Sequence, residues 1–144
     1  MRILSLDVGE KKIGVAVSDA LGITAQGLGV IERQNRRRDF SRILRYAEEY
    51  EAGEIVVGLP RNMDGTIGPQ AQGVLDFCKK LAHVAGVPVV TWDERLTTVA
   101  ANRTLLEADL RRSKRKKVID KLAAVFILEG YLRYKKKQEE EGLK

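Results

Sequence analysis

The sequence predicts one α/β domain of 144 residues, built on a five-stranded mixed sheet that is flanked by helices. The first observation is that three apolar, β-branched segments follow one another within the first 31 residues, joined by short links, which is typical of an antiparallel meander. The second is that helical periodicity then alternates with short apolar segments typical of buried parallel strands. The predicted order is βββαβαβαα, with the first strand in the centre of the sheet.

The meander strands are predicted at residues 2–9, 13–19 and 23–31. The first is an apolar run that places Asp7 near its carboxyl end, and Gly9 has no Cβ to obstruct a ligand that approaches this carboxylate. Considered alone, the stretch is more typical of an aspartate that ends a strand in a turn. The alternative, a metal or phosphate site, requires that other acids converge on Asp7.

Helices and parallel strands alternate in the middle of the chain. Asn35 is a typical N-cap for the first helix, which Gly53 ends, and residues 55–58 are predicted to form a short buried strand. A long loop over residues 59–69 leads to the second helix. Residues 87–92 are predicted to form the fifth strand.

The last helix is predicted over residues 116–137, after a third helix that opens at Leu96. Asp120 in the last helix shares a face with small and apolar side chains that follow it at helical spacing: Ala123, Ala124, Ile127 and Tyr131. A carboxylate on such a face is costly to bury unless a cation or hydrogen-bond donors meet it. Its partner is either a lysine of the neighbouring basic cluster or a divalent metal.

The composition limits the available chemistry. Cys78, the one cysteine, lies on the apolar stripe of the second helix and is predicted to fill the core, whereas His83, the one histidine, lies off that stripe. An internal disulfide is therefore excluded, and a zinc site or a histidine-based triad is implausible. No apolar run approaches the roughly 20 residues that span a bilayer, and no signal core opens the chain, so we expect a cytoplasmic protein.

The formal charge of +6 and the pI of about 9.5 suit a polyanionic partner such as nucleic acid. Cations cluster at residues 36–38, 111–117 and 135–137, of which the first and last are typical of solvated helix ends. The middle cluster holds six cations in seven residues: Arg111, Arg112, Lys114, Arg115, Lys116 and Lys117. Because these charges repel one another, we predict a mobile loop unless phosphates neutralise it.

Carboxylates are predicted to converge at one edge of the sheet. Ligands of such sheets gather beyond the carboxyl ends of the parallel strands, where Asp7, Asp93 and Glu94 all lie. Neighbouring side chains of a strand point to opposite faces, so we assign the longer Glu94 to the site and keep Asp93 in reserve. Together with Asp120, Asp7 and the acid from the fifth strand would hold two Mg²⁺ or Mn²⁺ ions about 4 Å apart, as two-metal phosphodiester hydrolysis requires. Arg95 either contacts a phosphate or pairs with Asp93.

Four segments carry a family resemblance: residues 7–19, which begin Asp-Val-Gly; residues 57–66, which include Leu-Pro-Arg-Asn-Met-Asp-Gly-Thr; residues 93–98, Asp-Glu-Arg-Leu-Thr-Thr; and residues 120–124, Asp-Lys-Leu-Ala-Ala. In this order and register they closely resemble the YqgF/RuvX family. Its members are RNase H-like proteins described as Holliday junction resolvases and as pre-16S rRNA nucleases. The resemblance spans the chain from Asp7 to the last helix.

The resemblance implies an RNase H-like nuclease domain over residues 1–138, followed by a charged tail over residues 139–144. It implies a Mg²⁺ or Mn²⁺ site formed by Asp7, Glu94 and Asp120, and cleavage of structured nucleic acid, foremost at the 5′ end of pre-16S rRNA during ribosome biogenesis. One departure concerns the fourth strand, which carries an acid at its end in the wider resolvase relatives. Here that strand ends Val-Gly-Leu-Pro at residues 57–60.

Nucleic-acid contacts are predicted outside the acidic set, because phosphates are bound by cationic, amide and hydroxyl side chains. The candidates besides the basic cluster are Lys11, Lys12, Arg61, Asn62, Thr66 and Arg95. Asp64 either forms a plain Asp-Gly turn, which is favoured, or leans into the site.

Two other functions remain open beside rRNA processing: a Holliday junction resolvase-like DNA endonuclease and a non-catalytic RNA-binding factor. An actin-like ATPase would need a nucleotide cleft between two such domains, and this chain has one. No membrane partner or small-molecule cofactor is expected, and the sequence leaves the oligomeric state undecided.

Overall fold

The computed structural model describes the backbone of residues 1–96 and 112–142 and the side chains of residues 1–95 and 121–142. Its strands are β1 (Arg2–Val8), β2 (Lys12–Ser18), β3 (Ala25–Glu32), β4 (Ala52–Leu59) and β5 (Val89–Asp93). Its helices are α1 (Arg36–Glu49), α2 (Pro69–Ala85) and α3 (Arg112–Gly142), and a short 3₁₀ turn follows β5 at Glu94–Leu96.

The five strands form one sheet in the order β3-β2-β1-β4-β5, which confirms the prediction that the first strand is central. The pairs β1–β2 and β2–β3 are antiparallel, whereas β4 is parallel to both β1 and β5. The meander and the two parallel strands are therefore as predicted. Because β1, β4 and β5 run in the same direction, their carboxyl ends meet at one edge of the sheet.

The sheet separates two apolar layers, because alternate side chains of each strand point to opposite faces. On β1, Leu4, Leu6 and Val8 join a core with α1 and α2, whereas Ile3 packs on the other face against α3. On β4, Val57 belongs to the first layer and Val56 to the second. A side chain of β1 or β4 therefore shares a face with α3 only when it lies an even number of residues from Ile3 or Val56.

Three buried polar contacts fix α3 along the sheet. Ser5 Oγ donates a hydrogen bond of 2.7 Å to the Ala124 carbonyl, Tyr131 donates to the buried carboxylate of Glu54, and Lys135 Nζ lies 2.9 Å from that carboxylate. Burial, followed by the hydrogen bond to Glu54, raises the pKa of the Tyr131 hydroxyl, which keeps it a donor.

These contacts set the direction of α3. Tyr131 lies at Glu54, near the start of β4, and Ile127 lies at Gly58, near its end. The helix therefore runs antiparallel to β1 and β4. The residue one turn before Ala124 is displaced toward the carboxyl ends of these strands.

The basic cluster differs from the prediction. We expected a mobile loop over residues 111–117 and a helix from about residue 116, but α3 begins at Arg112. The prediction was wrong from Arg112 onward because arginine and lysine are good helix formers, and each like-charge pair on a helix costs only about 0.2–0.5 kcal/mol. Arg111 and most of the helix predicted after Leu96 lie outside the described residues.

Two further expectations are confirmed. Cys78 is buried in the core with α1 and α2, and burial raises the pKa of its thiol to about 11, so it is not a nucleophile. His83 is exposed on α2. The division into a domain over 1–138 and a tail over 139–144 stays a prediction, although α3 continues through Gly142. In residues 1–96 and 112–142, no helix combines enough length and apolar character to cross a bilayer.

Candidate functional site

Asp7 lies near the carboxyl end of the central strand, on the face that packs against α3, because it follows Ile3 and Ser5 by even steps. Its partner across the β1–β2 pair is Gly14. On the other side Leu6 pairs with Val57 of β4, so the next residues along the two parallel strands are Asp7 and Gly58. The half-buried carboxylate of Asp7 is thus flanked by glycine on both neighbouring strands.

Glu94 reaches over the fourth strand from the fifth. Trp92 pairs with Gly58 and packs in the layer beneath α3, and Glu94 follows it by two residues. A Cβ placed on Gly58 would lie 2.6 Å from Glu94 Oε1 and would also collide with the Ile127 side chain. The Glu94 carboxylate therefore occupies the space that any side chain at position 58 would need.

This packing accounts for the missing acid at the end of the fourth strand. Strands lie about 4.8 Å apart, so β1 and β5, which flank β4, are about 10 Å apart. With its carboxylate over Gly58, Glu94 crosses about half of that separation toward Asp7. The sequence signal that could have revealed this is a glycine inside a buried strand, which often marks a close approach.

Asp93 belongs to the opposite face of the sheet and is paired. It lies beside Leu59 across the β4–β5 pair, and Leu59 packs with α1 and α2. Its carboxylate accepts hydrogen bonds from the backbone N–H, Nε and Nη2 of Arg95 at 3.0, 3.1 and 2.7 Å, and Arg61 Nε lies 4.0 Å away. The hydrogen bonds from the Arg95 side chain hold the pKa of Asp93 below its ordinary range. Asp93 and Glu94 are therefore separated as strand alternation predicts.

Arg95 ties the loop after β4 to the end of β5. Besides pairing with Asp93, its Nη1 donates to the Met63 carbonyl at 3.4 Å, and it lies against Gly65, whose φ of 89° favours glycine. The sequence left open whether Arg95 pairs with Asp93 or contacts a phosphate. In the structure Arg95 pairs with Asp93, and its other described contact is with the Met63 carbonyl. A direct contact of Arg95 with nucleic acid stays a prediction.

The same loop is held by its own side chains. Asp64 accepts hydrogen bonds from the backbone N–H and the hydroxyl of Thr66 at 3.0 and 2.6 Å, and Asn62 Nδ2 donates to that hydroxyl at 2.9 Å. The hydroxyl contact, more than any other, lowers the pKa of Asp64. Asp64 thus forms the plain Asp-Gly turn that was favoured. Arg61, Asn62 and Thr66 are exposed at this edge of the sheet.

The remaining candidate residues lie at the same end of the molecule. Lys11 is exposed at the tip between β1 and β2, and Lys12 is half-buried at the start of β2. Asp120 lies in α3 one turn before Ala124, and its side chain is outside the described residues. The same holds for the basic side chains at the start of the helix: Arg112, Lys114, Arg115, Lys116 and Lys117.

The donor set suits a hard divalent cation. Carboxylate oxygens are the ligands that Mg²⁺ and Mn²⁺ prefer, and Asp7 and Glu94 supply them at the same edge of the sheet. Among the side chains that the structure describes, no three acidic, histidine or cysteine residues form a metal-binding group. The third predicted ligand is Asp120, whose side chain lies outside the described residues.

Comparison with known proteins points to one family. The model of the family described as "RuvX: Holliday junction resolvase" matches residues 1–134. A "Putative pre-16S rRNA nuclease" of Clostridium kluyveri is 56% identical over 132 residues, covering 92% of this chain and 96% of that protein. Proteins of the same description from Clostridium acetobutylicum and Thermoanaerobacter pseudethanolicus are each 57% identical, covering 92% of this chain and 98% and 96% of theirs.

Solved structures share the fold. A Thermus thermophilus RuvC bound to a Holliday junction substrate has a TM-score of 0.55 and 18% identity, covering 93% of this chain and 96% of that one. The fowlpox virus Holliday junction resolvase has a TM-score of 0.54 and 18% identity, covering 93% and 99%. At this identity the likeness establishes the RNase H-like fold of these resolvases.

A substitution at Gly58 tests how Glu94 is placed. In Gly58→Ala, the added Cβ displaces the Glu94 carboxylate, so we expect the affinity for Mn²⁺ to fall by about 10-fold or more. Titration of the folded protein with Mn²⁺, followed by electron paramagnetic resonance, measures this. Gly73→Ala is the control, because a Cβ there meets no atom within 4 Å and should leave the affinity unchanged. Unchanged affinity in Gly58→Ala would contradict the placement.

A second test concerns the Asp93–Arg95 pair. Because the folded-state pKa of Asp93 is depressed, its pairing stabilises the fold above the unfolded-state pKa, and this stabilisation is lost as the pH falls through the folded-state value. We therefore expect Asp93→Asn to lower the urea midpoint at pH 7, and the deficit to shrink below about pH 4. Glu48→Gln, a change at an exposed carboxylate of α1, should show no such trend. A deficit that is independent of pH would exclude the ion pair as its cause.

Proposed function

The chain belongs to the RuvX family of Holliday junction resolvases, and from this we propose that it is a metal-dependent nuclease whose substrate is the 5′ region of pre-16S rRNA. The assignment to rRNA rests on relatives that are 54–57% identical and bear that description. Such a substrate places the protein in the cytoplasm and in ribosome biogenesis.

The observation that carries the proposal is the position of Glu94 over Gly58, beside Asp7. Asp7 and Glu94 bring carboxylates from two strands to the same edge of the sheet, and a divalent cation bound between them would offset their mutual repulsion. Gly58 leaves space there for the Glu94 carboxylate and for the Ile127 side chain.

Asp7, Glu94 and Asp120 are the residues that would hold the metal. Bound there, a pair of Mg²⁺ or Mn²⁺ ions would supply hydroxide at neutral pH and neutralise charge on the leaving oxygen. Gly58 leaves the space that the Glu94 carboxylate occupies, and the half-buried carboxylates of Asp7 and Glu94 can be reached from solvent at this edge of the sheet.

The rim of the site supplies the contacts that orient the strand. Lys11 and Arg61 are exposed cations on the two loops that border Asp7 and Glu94, and phosphate contacts of this kind set register without reading sequence. The cations that open α3 would extend these contacts. Arg95 acts differently, because it holds the rim loop through Asp93 and Met63.

A branched DNA substrate is the second candidate, and the description of the family model favours it. The acid set would be the same, since the chemistry of phosphodiester hydrolysis does not depend on the sugar. The two candidates therefore differ in the nucleic acid that is held, and a direct comparison of substrates separates them.

The test is cleavage by Asp7→Asn, which keeps the size of the side chain and removes its charge. We expect cleavage of a pre-16S 5′ fragment with Mg²⁺ to fall by about 100-fold or more, and EDTA to abolish it in the parent protein. Asp76→Asn, which neutralises an exposed acid on α2, is the matched control and should cleave normally. A synthetic four-way DNA junction is assayed in parallel.

The outcomes are distinct. Cleavage of the junction but not the RNA would select the DNA candidate. Full activity of Asp7→Asn would overturn the acid assignment, and tight RNA binding without metal-dependent cleavage in the parent protein would leave a non-catalytic RNA-binding factor.

A further inference from the structure

A groove of about 390 Å³ crosses the edge of the sheet at β3. Three different elements each contribute a cation to it, namely Lys12 from β2, Arg42 from α1 and Lys121 from α3. The rest of its lining is Gly29, Val30 and Glu32 of β3. The groove thus carries three positive charges and one negative charge, and it joins the two faces of the sheet around its edge.

Within the described part of the chain none of the three cations forms an ion pair with an acid, although Glu32 lies directly opposite Lys12 in the β2–β3 register. Cations elsewhere in this protein do pair, such as Lys135 with Glu54 at 2.9 Å. Concave surfaces of one sign focus the electrostatic potential, so this groove attracts anions.

The Lys121 side chain packs against Gly27 of β3, which is a second close contact between a side chain and a strand glycine. A Cβ on Gly27 would lie 2.8 Å from Cγ and 2.7 Å from Cε of Lys121. The aliphatic part of the side chain therefore lies on the bare backbone of β3, and its ammonium group is carried toward the groove rather than along the helix.

The groove continues from the acidic site. Lys12 lies two residues before Gly14, which is the partner of Asp7, and on the same face of β2. From β1 to β3 is two strand spacings, about 10 Å. A phosphate in the groove would therefore lie about 10 Å from one at Asp7, within the span of a few nucleotides of a bound strand.

We propose that Lys12, Arg42 and Lys121 bind the phosphate backbone of the substrate within a few nucleotides of the cleaved bond. The groove makes the protein read an extended, structured nucleic acid rather than a single phosphodiester. This inference rests on the proposed nuclease function and deepens it.

The experiment measures the salt dependence of binding for Arg42→Ala/Lys121→Ala, against a control that removes two charges elsewhere, Arg45→Ala/Lys79→Ala. Arg45 and Lys79 are exposed on α1 and α2 and do not line the groove. The probe is the pre-16S 5′ fragment without metal. Each lost phosphate contact reduces the slope of log K against log salt by about 0.7–0.9, so we expect a reduction of about 1.4–1.8 for the groove variant. The corresponding rise in Kd is about 15- to 30-fold near 0.15 M salt.

In single-turnover cleavage, the groove variant should need a higher RNA concentration than the parent and the control variant to reach its half-maximal rate, because it binds the substrate more weakly. An unchanged slope, or an equal change in the control, would overturn the groove proposal while leaving the nuclease assignment in place. If the parent protein itself showed no metal-dependent cleavage, the nuclease function would be refuted instead. Thermal unfolding of both variants verifies that they are folded.

Discussion

The site depends on the absence of a side chain at Gly58. Asp7 and Glu94 come from strands that are not neighbours, and a side chain at position 58 of the strand between them would separate their carboxylates. The glycine removes this obstacle, and Glu94 Oε1 fills the space instead.

The position of α3 is the second constraint. Apolar packing fixes which face of the helix meets the sheet but specifies its axial position weakly, whereas buried hydrogen bonds specify it well. Ser5 holds the carbonyl of Ala124, and Tyr131 and Lys135 hold Glu54 one strand away. Since the helix runs antiparallel to β1, these anchors bring the backbone at position 120 to the end of the sheet where Asp7 and Glu94 lie.

The fold, and the meeting of Asp7 and Glu94 at one edge of the sheet, followed from the sequence because they rest on strong regularities. Short links force a meander, crossovers place the first strand in the centre, and strand alternation separates Asp93 from Glu94. Gly58 and Gly27 were not recognised, because what fills the space above a glycine depends on residues distant in the chain. The partner of Arg95 was left open between Asp93 and a phosphate, because it depends on the loop after β4, which Arg95 contacts. The helical start of α3 was mispredicted because charge repulsion was weighted above helix propensity.

The central claim is that three acids share bound metal at one edge of the sheet. Crystals soaked in Mn²⁺ test it most directly, because anomalous scattering locates the ion independently of activity. The account predicts anomalous density within about 2.0–2.6 Å of carboxylate oxygens of Asp7, Glu94 and Asp120. Density at a distance from Asp7 and Glu94, or none at saturating Mn²⁺, would contradict it.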